Sequence, residues 1–256
     1  MAVDPRPRRK RFGQHFLHDA GIVKRIVTAI DPAAAHHVVE IGPGGGALTK
    51  SLAQAAPRLT AVEIDRDLAA WLRVEFADTN TVAIVEADAL RFDLQSLGRD
   101  LVVVGNLPYN ISTPLLFRLT DARAAIRKAI FMLQREVVER IVAQPGTKTY
   151  GRLSVMLQCY WDTRALFTVP AGAFSPPPKV ASAVVALHSR QPVIEPSTAA
   201  SFESIVRTAF SQRRKTLRRS LNKLMSAEAI QSAGVDPGAR PETLAVEDFA
   251  RLSLPR

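Results

Sequence analysis

Asn106, Leu107, Pro108 and Tyr109 stand directly behind the apolar run LVVVG at 101–105. Such a run reads as a buried strand, and open parallel sheets bind their ligands at the carboxyl ends of their strands. The residue types suit one piece of chemistry, which is to make an exocyclic aromatic amine such as that of adenine nucleophilic. The lone pair of that amine is delocalised into the ring. An amide oxygen on Asn106 and a nearby backbone carbonyl of the turn can accept its two N–H bonds and draw the nitrogen toward tetrahedral geometry. Pro108 stiffens the turn, and Tyr109 offers a flat face for the base, worth roughly 1–3 kcal/mol. No strong base is required, because the ammonium formed on transfer loses its proton readily to water. An uncharged Asn also tolerates a sulfonium beside it. The bland alternative is a turn with a buried tyrosine.

A second constellation lies upstream, in VVEIGPGGGALTKSL (38–52), which reads as strand, glycine turn and helix. Gly42 and Gly44 let the backbone approach a ligand closely and adopt positive φ. Glu63 ends the next strand, at the ~20-residue spacing of a carboxylate that grips two ribose hydroxyls. The pattern Gly42-x-Gly44-x-x-Ala47 also satisfies the looser dinucleotide fingerprint, so the turn alone leaves the nucleoside cofactor open. Asp88, in EADAL after the third strand, can accept from an adenine amine. Taken alone, it is equally a helix cap.

The elements that must position these residues follow from periodicity. Asp19 is placed to cap a helix running to about Ile30. Strands are expected at 38–41, 59–64, 82–87, 101–105 and 129–134, with helices at 48–55, 68–76 and 112–119, the last capped by Ser112. Helices at 136–143 and 153–161 and two late strands, RALFTV and VASAVVAL, follow. Alternation of apolar strands with helices means a mostly parallel sheet covered on both faces. The two late strands lack a helix between them and read as an antiparallel hairpin at its edge. Composition shifts to Pro and Ser around 189–197, and only helical patterns follow. Two domains are therefore expected, 1–190 and a helical 191–256.

The 256 residues carry 34 Lys+Arg against 24 Asp+Glu, a net charge of +10. The excess sits in two blocks. Five basic side chains fall within residues 1–11, including Arg8, Arg9, Lys10 and Arg11. Seven fall within 204–225, among them Arg213, Arg214, Lys215, Arg218, Arg219 and Lys223, with no acid. Lys215, Arg219 and Lys223 recur at i+4 beside an apolar set of Leu217, Leu221 and Leu224, which predicts a helix anchored on one face and basic on the other. Like charges at i+4 cost stability, so the pattern calls for an anion such as nucleic-acid phosphate. The lone Cys159 excludes an internal disulfide and a cysteine-based zinc site, and the histidines are too few for a metal, so no metal is expected. No apolar run reaches the ~18 residues of a membrane span, and the basic N-terminus lacks the apolar stretch of a signal peptide. A soluble, cytoplasmic protein without membrane contact is expected.

RKRFGQHFL (8–17), VEIGPGGGALT (39–49), EID (63–65), DAL (88–90), NLPYNIS (106–112), FSPPPKVASAVV (174–185) and FSQRRKTLRRSL (210–221) occur in order along nearly the whole chain. In these motifs the sequence resembles the ribosomal RNA adenine dimethyltransferases, most closely the small-subunit, KsgA-type enzymes. The resemblance implies a Rossmann-like class I methyltransferase fold with a seven-stranded sheet, S-adenosylmethionine as cofactor and a helical RNA-binding C-terminal domain. It implies as substrate two adjacent adenosines in the 3′-terminal hairpin loop of 16S rRNA within the small ribosomal subunit, acted on by a monomer that also serves subunit biogenesis. By the same resemblance Gln14, His15 and Leu17 would close over the cofactor and Gly42 approach its methionine part. Glu63 would hold the ribose, Ile64 pack on the adenine, and Asp88 and Ala89 read the adenine edge. Asn106 would lie between cofactor and target, and Tyr109 and Phe174 would sandwich the target base. Two positions depart from the family pattern: His15 and Arg219 each stand where Asn is commoner. Rival readings are the large-subunit adenine methyltransferases of macrolide resistance and a non-catalytic assembly factor on the same fold. A nicotinamide oxidoreductase would explain the glycine turn alone.

Overall fold

The computed structural model describes residues 15–108, 111–212 and 214–255. Arg8, Arg9, Lys10, Arg11, Gln14, Tyr109 and Arg213, all assigned roles above, lie outside the described residues.

A short strand β1 (Phe16–Leu17) precedes α1 (Ala20–Ile30), whose first turn is capped by Asp19 accepting from the Ile22 N–H at 3.0 Å. Then strands and helices alternate: β2 (His37–Ile41), α2 (Ala47–Ala55), β3 (Leu59–Glu63), α3 (Arg66–Glu75), β4 (Val82–Glu86), β5 (Leu101–Asn106), α4 (Ser112–Asp121) and β6 (Ile126–Gln134). After α5 (Arg135–Ile141) and α6 (Arg152–Gln158) come β7 (Trp161–Val169), β8 (Phe174–Ser175) and β9 (Ser182–Ser189). The chain closes with α7 (Ala199–Ala209), α8 (Leu217–Ser220), α9 (Ala227–Ser232) and α10 (Val246–Ser253).

Seven strands form one sheet in the order β4-β3-β2-β5-β6-β9-β7. The pairs β2–β3, β2–β5, β3–β4 and β5–β6 are all parallel, as apolar strands separated by helices require. The chain runs outward from β2 to β4 and then returns to the other side of β2 with β5. The strand order therefore reverses between β2 and β5, and a ligand crevice opens at their carboxyl ends. Those ends carry the glycine turn and Asn106. The core packs α1 and α2 onto the sheet through buried Ile26, Ile30, Leu48, Leu52, Val102 and Val104. The Ser175–Pro176 peptide bond is cis.

Two helix boundaries differ from expectation. Ser112 does not cap α4: it is buried inside the helix, and Ile111 holds the cap position without a side-chain bond. The helix expected to reach residue 161 stops at Gln158, and Trp161, 1% exposed, opens β7. A bulky aromatic at a buried strand position is favoured over one more helical turn.

By its contacts the chain divides into two units, Met1–Arg135 with Ala165–Leu187, and Glu136–Arg164 with His188–Arg256. The single cut expected near 190 thus misses that 136–164 belongs with the C-terminal helices. Local bonds explain the grouping. The Gly146 N–H donates to Glu242 O at 2.7 Å, Arg152 pairs with Glu203 at 3.2 Å, and Tyr150 meets Phe210 edge-on at 6.3 Å. Phe210 in turn packs on Phe249 at 5.7 Å.

The second unit also corrects the basic helix. α8 spans only Leu217–Ser220, with Lys215 in the bend before it and Lys223 in the turn after it. The Leu217 and Arg218 N–H groups donate to Ala239 O and Pro237 O at 2.9 and 3.0 Å, so tertiary bonds fix where the helix starts. Leu217 and Leu221 are fully buried as expected, whereas Leu224 is 46% exposed. Arg214, Lys215, Arg218, Arg219 and Lys223 are all exposed, but no regular helical face carries them.

Gly105 is required by the spacing of β2 and β5. A Cβ there would lie 2.5 Å from the Ile41 carbonyl oxygen, a backbone atom that cannot swing away. Gly105→Ala is expected to lower unfolding free energy by about 2–3 kcal/mol through forced strand separation. Denaturant titration measures this, and an unchanged midpoint would contradict the close approach.

Candidate active site

The carboxyl ends of β2, β3 and β5, the turn after β4 and the β1 strap enclose a cavity of about 300 Å³. Its lining brings together most of the described residues picked from sequence: His15, Leu17, Gly42, Gly44, Glu63, Ile64, Asp88, Ala89, Asn106, Leu107, Pro108 and Phe174. Residues up to 159 positions apart in the chain meet because parallel strands deliver all their ends to one edge of the sheet.

The glycine turn is held from below by Glu63. Its Oε2 accepts the Gly44 N–H at 3.0 Å and its Oε1 accepts the Asp65 N–H at 2.9 Å. Gly44 has φ +52°, and a Cβ there would come within 3.3 Å of the Phe16 ring, so glycine is needed both for conformation and for the strap to lie over the turn. Glu63 is 4% exposed. Burial raises its carboxyl above the usual range, opposed by the bonds from Asp65 and Gly44. Each oxygen keeps a second lone pair, so the carboxylate can still accept from a diol. Next to it Ile64 is 52% exposed, an apolar side chain left open at the cavity. Asp88 does not cap a helix; its Oδ1 accepts the Leu90 N–H at 2.9 Å within a tight turn. Ala89 is buried beside it.

Asn106 ends β5 and is part-buried. Its Nδ2 donates to the His15 carbonyl at 3.1 Å. A carbonyl can only accept, so this bond fixes which end of the amide faces His15. The Oδ1 acceptor has no hydrogen-bond donor among the described residues. The turn behind it is secured by Leu107 N–H to Met132 O and Ile111 N–H to Pro108 O, both 3.2 Å. Leu107 is buried. Phe174 touches the cavity but is 3% exposed and belongs to the apolar core, so little of its ring is open for stacking. Leu17 pairs with Phe174 across the β1–β8 ladder and is buried.

The arrangement offers a carboxylate and a glycine turn for a nucleoside. It also offers an apolar platform at Ile64 and a presented amide acceptor at the strand end beside them. A family model described as ribosomal RNA adenine dimethylase matches residues 6–254. The chain belongs to the ribosomal RNA adenine dimethylase family. It is similar to proteins named ribosomal RNA small subunit methyltransferase A. That of Thiobacillus denitrificans is 53% identical over 96% of this chain and 96% of the relative, and that of Nitrosococcus oceani 50% over 96% and 94%. Among solved structures, a dimethyladenosine transferase from Plasmodium falciparum superposes with TM-score 0.79 at 26% identity over 93% of this chain and 96% of its own. The 23S rRNA methyltransferase ErmE gives TM-score 0.73 at 30% identity over 93% and 98%. The class I methyltransferase fold expected of this adenine dimethylase follows from these likenesses and from its seven-stranded sheet. Among the described residues of this dimethylase, no helix is long and apolar enough to cross a membrane.

One acid in the cavity wall escaped the sequence reading. Glu40, inside β2, is 2% exposed, lines the cavity, and its Oε2 has no hydrogen-bond partner among the described residues. Its signal was a lone carboxylate in an otherwise apolar strand. Burial pushes its carboxyl up to about 7, against the nearby Thr49 hydroxyl and with the Glu63 charge adding to the rise. The folded chain holds this proton to about pH 7 whereas the unfolded chain loses it near 4.5, so Glu40 makes stability fall as pH rises between those values. The effect is on the order of 3 kcal/mol. Glu40→Gln should remove this fall and gain most over the wild type at pH 8. Chemical denaturation of both proteins at pH 5 and pH 8 reads the difference, and parallel losses would show that Glu40 ionises normally.

Proposed function

We propose that this enzyme transfers two methyl groups to the exocyclic N6 amine of each of two adjacent adenosines in the 3′-terminal hairpin loop of 16S rRNA. In this reading it works on the small ribosomal subunit or its precursor, in the cytoplasm and as a monomer, with a role in subunit biogenesis. The observation that carries the reading is the amide of Asn106, turned by His15 so that its oxygen remains an open acceptor at the cavity. An rRNA adenine dimethylase needs that acceptor, because withdrawing the amine hydrogens is what localises the lone pair. The names of the relatives near 50% identity support the small subunit, as do the GQHFL, NLPY and RRKTL motifs.

S-adenosylmethionine, when bound, supplies a methyl group on a sulfonium. The residues of the chain fit it. Glu63 would take the ribose hydroxyls on its remaining lone pairs, and exposed Ile64 would cover one face of the adenine. Asp88 and Ala89 would meet the adenine edge, and Gly42 would let the backbone approach the methionine part. Asn106 Oδ1 and a backbone carbonyl of the turn would accept the two amine hydrogens of the target. Tyr109 and the small open part of Phe174 would hold its ring. Proton loss after transfer goes to water. Arg214, Lys215, Arg218, Arg219 and Lys223, exposed and without acidic partners among the described residues, would bind phosphate, joined by Arg213 and by Arg8, Arg9, Lys10 and Arg11.

Tritiated methyl transfer from S-adenosylmethionine to undermethylated small subunits and to large-subunit rRNA, followed by mapping of the label, tests the reading. Label on large-subunit rRNA alone would overturn it. Asn106→Ala is expected to abolish transfer while subunit binding persists; turnover within about tenfold of wild type would remove Asn106 from the chemistry. Changing Lys215, Arg219 and Lys223 together to Gln should flatten the slope of log affinity against log salt by about two to three units, since each phosphate contact contributes roughly 0.7–0.9. Filter binding across a salt series with an unchanged slope would reduce these side chains to a solvated surface.

A further inference from the structure

The N-terminal strap touches both sides of the reaction. Phe16 lies opposite Ser175 and Leu17 opposite Phe174 in the antiparallel β1–β8 ladder, and the His18 N–H donates to Ala173 O at 3.0 Å. His15 and Pro176 lie just beyond the two paired positions of these strands. The His15 carbonyl takes the Asn106 amide at 3.1 Å. The His15 ring meanwhile reaches back across the ladder to Pro176 O at 2.8 Å. That oxygen only accepts, so Nδ1 carries the hydrogen and donates. One residue is therefore tied by its main chain to the end of β5 and by its side chain to the loop that follows Phe174.

We propose that His15 is a positioning residue for methyl transfer: by bonding Pro176 with its ring, it holds its own carbonyl where it orients the Asn106 amide toward the target amine. The proposal rests on the reading of Asn106 given above. It assigns the His15 side chain to the alignment of the acceptor rather than to cofactor affinity. Loss of the ring bond removes the side-chain tie between residue 15 and the loop after Phe174, and the carbonyl that sets the amide is held less closely. Misplacement of a reacting group by about 1 Å is enough to slow chemistry on the order of a hundredfold.

The side chain of Asn carries an N–H donor at nearly the place of Nδ1, whereas Ala and Leu carry none. His15→Ala and His15→Leu are expected to lower kcat at saturating cofactor about tenfold or more. S-adenosylmethionine affinity of the free enzyme, measured by calorimetry, should stay within about twofold. His15→Asn should recover most of the kcat. The thermal midpoint of each variant, read by scanning calorimetry, separates loss of folded protein from loss of alignment. A wild-type kcat in His15→Ala, or weakened cofactor binding with kcat intact, overturns the proposal. Failure of His15→Asn to do better than His15→Leu also overturns it. Asn106→Ala run alongside keeps the two readings apart. If that variant stays active, the role of Asn106 fails; if it is inactive while His15→Ala is normal, the role of His15 alone fails.

Discussion

The separation of β2 from β5 at their carboxyl ends sets the geometry of everything above them. One strand delivers the glycine turn and the other delivers Asn106, so the distance between their backbones sets the distance between that turn and the amide. Gly105 allows the strands to approach until only a hydrogen atom fits between its α-carbon and the Ile41 carbonyl. Parallel pairing then carries this spacing outward to β3, where Glu63 sits. A sheet buried on both faces is stiff because its interior packs at crystal density, so the spacing is a property of the core rather than of the loops.

Onto this frame the chain places two buried acids, Glu40 and Glu63, at the floor of one cavity. They are treated differently. Glu63 is met by two backbone N–H groups, and its charge organises the turn above it. Glu40 has an oxygen with no partner among the described residues, and burial raises its carboxyl toward neutrality. Buried unpaired carboxylates destabilise folded chains, so ionisation of Glu40 costs stability.

Much of this was legible in the sequence because it is local. Strand–turn–helix alternation placed β2 to β6 within a few residues, and Gly42, Glu63, Asp88 and Asn106 fell at strand ends where a parallel sheet gathers them. What was not legible depends on distant partners. The grouping of 136–164 with the C-terminal helices rests on bonds such as Gly146 to Glu242, which no local pattern encodes. α8 carries an i+4 basic repeat longer than itself, because the 237–239 loop decides where its first turn begins. Phe174 reads from its motif as a stacking face, yet the core claims most of its ring. The two bonds of His15 depend on the register of a two-residue strand against a partner more than 150 positions away, and residue types alone do not announce such a register.

That distance also orders events during synthesis. The strap that lies over the glycine turn, β1, has its partner strand β8 at Phe174–Ser175, and a ribosome makes the chain from its N-terminus. The first five strands of the sheet can begin to assemble as they emerge, since each pairs with a neighbour already made. The strap cannot dock until two-thirds of the chain exists. The cavity thus stays without its paired strap until β8 has been made, and a nascent chain carries its Gly44 turn uncovered while the sheet beneath it already takes shape. Pairing of the strap reports that the chain has been made through β8, because no shorter chain supplies the second half of the ladder.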